Sequence, residues 1–109
     1  CGFSSLASVP EWLETDKAAR FMRAYSRTRK YMLSTPASEI SAAQKPYFPN
    51  IDQLVLENCI ETYQNLGCWT PHTNITEDAY QATLDIFEYN GLINERFPYD
   101  KVCREINFS

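Results

Sequence analysis

A chain of 109 residues, 44% hydrophobic and 22% charged, suits one domain with a modest core. Its ten Lys and Arg against fourteen acids give a net charge of −4, and an acidic chain without a basic cluster is a poor partner for a phosphate backbone, so no nucleic acid is expected. Three glycines are too few for a phosphate-cradling loop, no Walker or dinucleotide fingerprint occurs, and no apolar run approaches the roughly 18 residues needed to cross a bilayer.

In chain order, residues 1–9 (Cys-Gly-Phe-Ser-Ser-Leu-Ala-Ser-Val) alternate loosely and read either as one short strand or as an extended lead-in. Cys1-Gly2 is also compatible with the lipid-modified start of a mature bacterial lipoprotein, a reading that these residues do not themselves support with a signal peptide. Pro10-Glu11-Trp12-Leu13 reads as a helical turn with proline at its first position. A long helix follows, capped by Thr15, with Ala18, Phe21, Met22, Tyr25 and Met32 on one face and Asp16 at the positive end of the dipole. Arg27, Arg29 and Lys30 fall in its last turns, where cations are favoured, and Pro36 prevents simple continuation.

Thr35-Pro36 predicts a second start, with Thr35 as cap and a short helix through Ile40 to about Gln44. Pro46 and Pro49 enclose Tyr47 and Phe48 in an extended linker. Asn50 and Gln53 make a capping-box pattern ahead of a helix that carries Ile51, Leu54, Val55, Cys59, Thr62, Tyr63 and Leu66 on its apolar stripe and stops at Gly67. Cys68 to Asn74 is a loop. Thr76 caps the next helix, with Ile75 and Tyr80 spaced as a hydrophobic staple, Leu84 and Phe87 on the buried face and Asn90-Gly91 at its end. Pro98 opens a last helix to about Ile106. The expected class is mostly α, without internal repeats.

No constellation spells out an active site. The lone His72 lacks a placed acid or nucleophile, and Glu11, Asp16, Glu77 and Asp78 are explained by first turns of helices. Cys1, Cys59, Cys68 and Cys103 show no C-x-x-C pair, so no metal is expected; free or buried thiols are the first reading, with one or two disulfides as the alternative in an exported chain. Tyr47, Phe48, Trp69 and Tyr99 either plug gaps between helices or line a cleft. Asn74-Ile75-Thr76 and Asn107-Phe108-Ser109 match the glycosylation pattern, which matters only in a eukaryotic secretory setting.

One resemblance covers nearly the whole chain. Val9-Pro10-Glu11-Trp12-Leu13, then Phe21-Met22-Arg23-Ala24-Tyr25, Pro36-Ala37-Ser38-Glu39-Ile40, Asn65-Leu66-Gly67-Cys68-Trp69 and Gly91-Leu92-Ile93 are similar, in order and spacing, to the thiamine-pyrimidine-precursor branch of ABC-importer substrate-binding proteins. That branch stands beside the nitrate, sulfonate and taurine binders. The resemblance implies the helix-rich C-terminal portion of a two-lobed α/β periplasmic-binding-protein fold. It implies a solute receptor rather than an enzyme, periplasmic or membrane-anchored outside the cytoplasm. Its partners would be an ABC permease and a small molecule held mainly by an N-terminal lobe.

Within these residues only Cys1, Phe3, Ser4 and Ser5 would approach the ligand. The same segment is similar to the cysteine-containing, iron-binding stretch of the related thiamine pyrimidine synthases; only Cys1 matches where several cysteines would be expected, so no cofactor is expected. The synthase, cytoplasmic in that case, and a free-standing helical interaction domain are the alternative functions. A clamp tail would expose the apolar faces of the Thr15 and Asn50 helices, inviting a homodimer.

Overall fold

Chain-capping chemistry sets where each helix begins and ends. The computed structural model describes residues 5–106 and 108, and among these it contains helices and no strand. The helices are α1 (Pro10–Leu13), α2 (Asp16–Ser34), α3 (Ala37–Gln44), α4 (Gln53–Asn65), α5 (Glu77–Tyr89) and α6 (Tyr99–Val102), with a 3-10 turn at Lys45–Tyr47 between α3 and α4. Residues 5–9 are irregular, which resolves the strand-or-lead-in ambiguity for that stretch in favour of the lead-in. No described helix is long and apolar enough to cross a membrane. The chain divides into two compact units, one running through Thr73 and including Phe108, the other beginning at Asn74 and containing α5 and α6.

Thr15 caps α2 as expected, its hydroxyl accepting the Ala18 N–H at 3.2 Å. The helix ends at Ser34, so its last turn, Tyr31–Ser34, holds no cation, and Arg27, Arg29 and Lys30 lie before it. Thr35 is not the cap of α3. Its N–H closes α2 on the Tyr31 carbonyl at 3.0 Å, and the extended Pro36 stands at the N-cap instead, its carbonyl accepting from Glu39 and Ile40. The Asn50–Gln53 capping box is likewise absent. Lys45 ties the preceding turn down by donating to the Pro49 and Ile51 carbonyls, which holds Ile51 outside the helix, and Asp52 caps α4 by accepting the Leu54 N–H at 2.8 Å.

Both long helices downstream end alike. After α4, Gly67 N–H donates to Gln64 and Cys68 N–H to Tyr63; after α5, Gly91 donates to Glu88 and Leu92 to Phe87. These paired bonds form the Schellman termination, which requires the left-handed φ of +65° at Gly67 and +67° at Gly91. Thr76 caps α5 through the Ala79 N–H at 3.3 Å. Pro98 precedes α6 as expected, but Cys103 is extended (ψ 134°), so this helix stops at Val102 rather than near Ile106.

In the first unit α3 packs along α4 and α1 along α2. Among the described residues the buried apolar side chains are Ala18 of α2, Ile40 of α3 and the i, i+4 pair Leu56 and Ile60 of α4. Ser41, also buried, spends its hydroxyl on the Ser38 carbonyl. Gln64 then stitches the end of α4 to the α2–α3 corner, its amide donating to the Met32 and Thr35 carbonyls at 2.8 and 2.9 Å. The apolar stripe of α4, expected to be exposed in a clamp tail, does lie outside: Val55 is 51% and Leu66, just past the helix end, 69% exposed, and Leu54, Cys59 and Tyr63 are exposed with them. Helix α4 carries one broad apolar face, of which α3 covers the Leu56–Ile60 side.

That choice of arc is testable. Ile60→Ala should cost about 2–5 kcal/mol in urea unfolding, whereas Val55→Ala on the exposed arc should change stability by no more than about 0.5 kcal/mol. Equal effects would place the buried face elsewhere. Gly67→Ala, forced into the left-handed region, should cost about 1–2 kcal/mol although nothing stands within 4 Å of the added methyl.

Candidate functional site

Of the residues expected near a ligand, Cys1, Phe3 and Ser4 lie outside the described residues. Ser5 is exposed in the irregular lead-in to α1. No group of three His, Cys, Asp or Glu able to hold a metal occurs among the described residues. Cys59, Cys68 and Cys103 carry free thiols. Partial burial pushes the Cys103 thiol above its ordinary pKa, which lowers its thiolate fraction and so its reactivity.

The four linker aromatics divide. Trp69 plugs, its ring 5.7 Å from that of Tyr63. Tyr99 plugs within the second unit, its ring 5.8 Å from Tyr80 and its hydroxyl donating to the Ile75 carbonyl. Desolvation is the main reason its phenol pKa is raised, with smaller electrostatic contributions from Cys103, once that thiol ionises, and from Glu105 and Glu77. Tyr80 donates in turn to the Phe97 carbonyl at 2.8 Å. Tyr47 and Phe48 are exposed and do neither. Also in this unit, Arg96 lies between Asp85, at 2.8 Å, and Glu88; these hydrogen bonds, Glu88 first, hold the guanidinium deeper in its charged form.

Helix α2 gathers the most chemistry. On one side runs a ladder: Trp12 meets Phe21 edge-on at 6.0 Å, Phe21 stacks on Tyr25 at 6.3 Å, and the Arg29 guanidinium lies 5.6 Å over the Tyr25 ring. Arg29 donates to the Tyr25 hydroxyl at 3.1 Å, to the Thr70 carbonyl at 2.7 Å and to the Thr70 hydroxyl at 3.0 Å. The Thr70 hydroxyl donates onward to the His72 carbonyl. Arg29 therefore pins the 68–74 loop to α2, a structural role that its place near the helix end did not announce.

A different side of α2 carries Arg20, Arg23 and Arg27. With Ser26 and Phe108 they line an open depression of about 610 Å³. Arg23 donates to the Phe108 carbonyl at 3.3 Å, and Arg20 pairs with Asp16 at 3.4 Å on the surface. Six of the ten Lys and Arg and one of the fourteen acids lie in α2, so the bases are clustered after all. The i, i+3, i+7 spacing of Arg20, Arg23 and Arg27 was the signal for this, hidden by a chain-wide charge that is negative.

No family model, curated protein or solved structure matches the chain.

Arg29→Gln should destabilise by about 1–3 kcal/mol and Thr70→Ala by less, with the double variant costing measurably less than their sum in chemical unfolding. Strict additivity would show that the pair does not act as a unit. Alkylation of Cys103, followed by mass spectrometry across a pH series, should rise only above the ordinary thiol range; rapid labelling at pH 7 would contradict its burial.

Proposed function

We propose that this chain is the helix-rich C-terminal part of an extracytoplasmic receptor of an ABC importer, one that captures a thiamine pyrimidine precursor or a related small molecule and delivers it to a permease without chemical conversion. The order and spacing of the family-like segments from about Phe3 to Ile106 suggest the reading. The observation that carries it is uncovered apolar surface on the two helices that would face a sheet in such a clamp. On α4 this is the arc of Leu54, Val55 and Leu66; on α2 it includes Phe21 and Leu33. Against these, Ala18, Ile40, Leu56 and Ile60 form a thin core, and exposed apolar surface of this kind marks a face built to meet another.

The ladder from Trp12 to Thr70 supports the same reading from the opposite direction. It stiffens α2 and the 68–74 loop without forming a cleft, as a lobe would if its ligand contacts came from elsewhere.

The test uses the gene product that contains this chain. A thiamine pyrimidine precursor, with taurine and nitrate as comparison probes, should raise its melting temperature by several degrees at about a hundredfold excess over Kd, and the precursor should be recovered unchanged. Iron-dependent consumption of a bound substrate would favour the synthase, and no shift with any of the probes would remove the receptor reading. The 109-residue chain alone should associate as its concentration rises in analytical ultracentrifugation. A monomer across the whole range would contradict the role given to the exposed arcs.

A further inference from the structure

Charge is segregated in this chain to a degree that helix formation does not explain. With six bases and one acid, α2 carries a net charge of +5, while the other residues together carry −9. Arg29 is consumed by Thr70 and Tyr25, and its placement is structural. Arg20, Arg23 and Arg27 differ from it. They lie at i, i+3 and i+7 on one face, where like charges repel one another and weaken the helix that carries them. Nothing in the capping of α2 needs them, because the favourable place for cations is the last turn and they stand before it.

Their surroundings supply a reason. The three guanidinium groups border the same depression, closed on another side by Phe108 and given a hydroxyl by the half-buried Ser26. The Phe108 carbonyl holds Arg23 in place there. Arg27 has no hydrogen-bond or ion-pair partner among the described residues, and the Asp16 that meets Arg20 is itself 91% exposed and easily displaced. From Arg20 to Arg27 the helix rises about 10 Å, longer than one phosphate or carboxylate needs. Guanidinium forks bind such groups in pairs of hydrogen bonds, so a row of three fits a ligand with several anionic groups in line. The −5 carried by the residues of the same unit outside α2 (six acids against Lys45) would repel a long polyanion, which favours a small ligand over a nucleic acid or a charged bilayer.

We propose that the Arg20–Arg23–Arg27 face of α2 is a binding site for a small polyanion such as a linear oligophosphate or a tricarboxylate, separate from any ligand of the importer clamp. Calorimetric titration of the 109-residue chain with inorganic triphosphate, citrate and inorganic phosphate tests it. Triphosphate or citrate should bind saturably and about tenfold or more tighter than phosphate, and the binding should weaken as salt is raised. Arg23→Gln and Arg27→Gln should each weaken the favoured probe by about tenfold while leaving the helical circular dichroism unchanged, since Gln is nearly as good a helix former as Arg. Lys101→Gln, on α6, should have no effect. The proposal is overturned by absence of saturable binding, by wild-type affinity in both arginine variants, by an equal loss in Lys101→Gln, or by a short oligonucleotide binding as tightly as triphosphate.

Discussion

The packing of α3 against α4 is the contact on which the first unit rests. It removes Ile40, Leu56 and Ile60 from water, and at about 25 cal/mol per Å² each such side chain contributes about 1.5–3 kcal/mol. The connection between the two helices is short and tightly held: the 3-10 turn at Lys45–Tyr47 reverses the chain, and the Lys45 ammonium gathers the carbonyls of Pro49 and Ile51 that would otherwise be left to solvent. Gln64 extends that constraint to α2 by bonding the Met32 and Thr35 carbonyls, the groups orphaned where α2 ends. One side-chain amide thus satisfies a helix terminus and fixes the angle at which α3 leaves it.

With so few side chains fully buried, the polar connections carry more of the specificity than they would in a thick-cored domain. Arg29 shows how. Its three donors reach two partners on different elements, and its planar fork sits over the Tyr25 ring, so the 68–74 loop is placed by geometry rather than by bulk burial. The second unit uses the same economy. Tyr80, Tyr99 and Arg96 organise α5, α6 and the segment between them through a ring pair, two carbonyl acceptors and two carboxylates, with no side chain of α5 fully buried.

Local signals in the sequence were legible wherever the answer was local. Thr15 and Thr76 cap as their position implies, and Gly67 and Gly91 end their helices because only glycine takes a left-handed φ there without strain. The misplaced starts of α3 and α4 have one cause: Thr35 and Asn50 are good caps by type, but Thr35 is claimed by the end of α2 and the chain around Asn50 by Lys45. Which side of α4 is covered was not legible for a longer-range reason: periodicity finds an apolar face but not the part of it that a neighbour covers. The arginine row was visible in spacing and was masked by averaging charge over the chain.

That masking has a physical counterpart. Net charge governs the field at distances beyond a Debye length, about 8 Å at physiological salt, where this chain is an acidic object. Within that distance the sign is set by the nearest groups, and along the Arg20–Arg27 face those are guanidinium groups. A solute approaching α2 therefore passes from repulsion to attraction only at close range. Such a surface discriminates by size as well as by charge: a compact anion can shelter wholly inside the attractive zone, while an extended one must leave part of itself against the net negative charge that the same unit carries outside α2. The unfavourable repulsion stored in α2 is then relieved only by a ligand small enough to be surrounded by it.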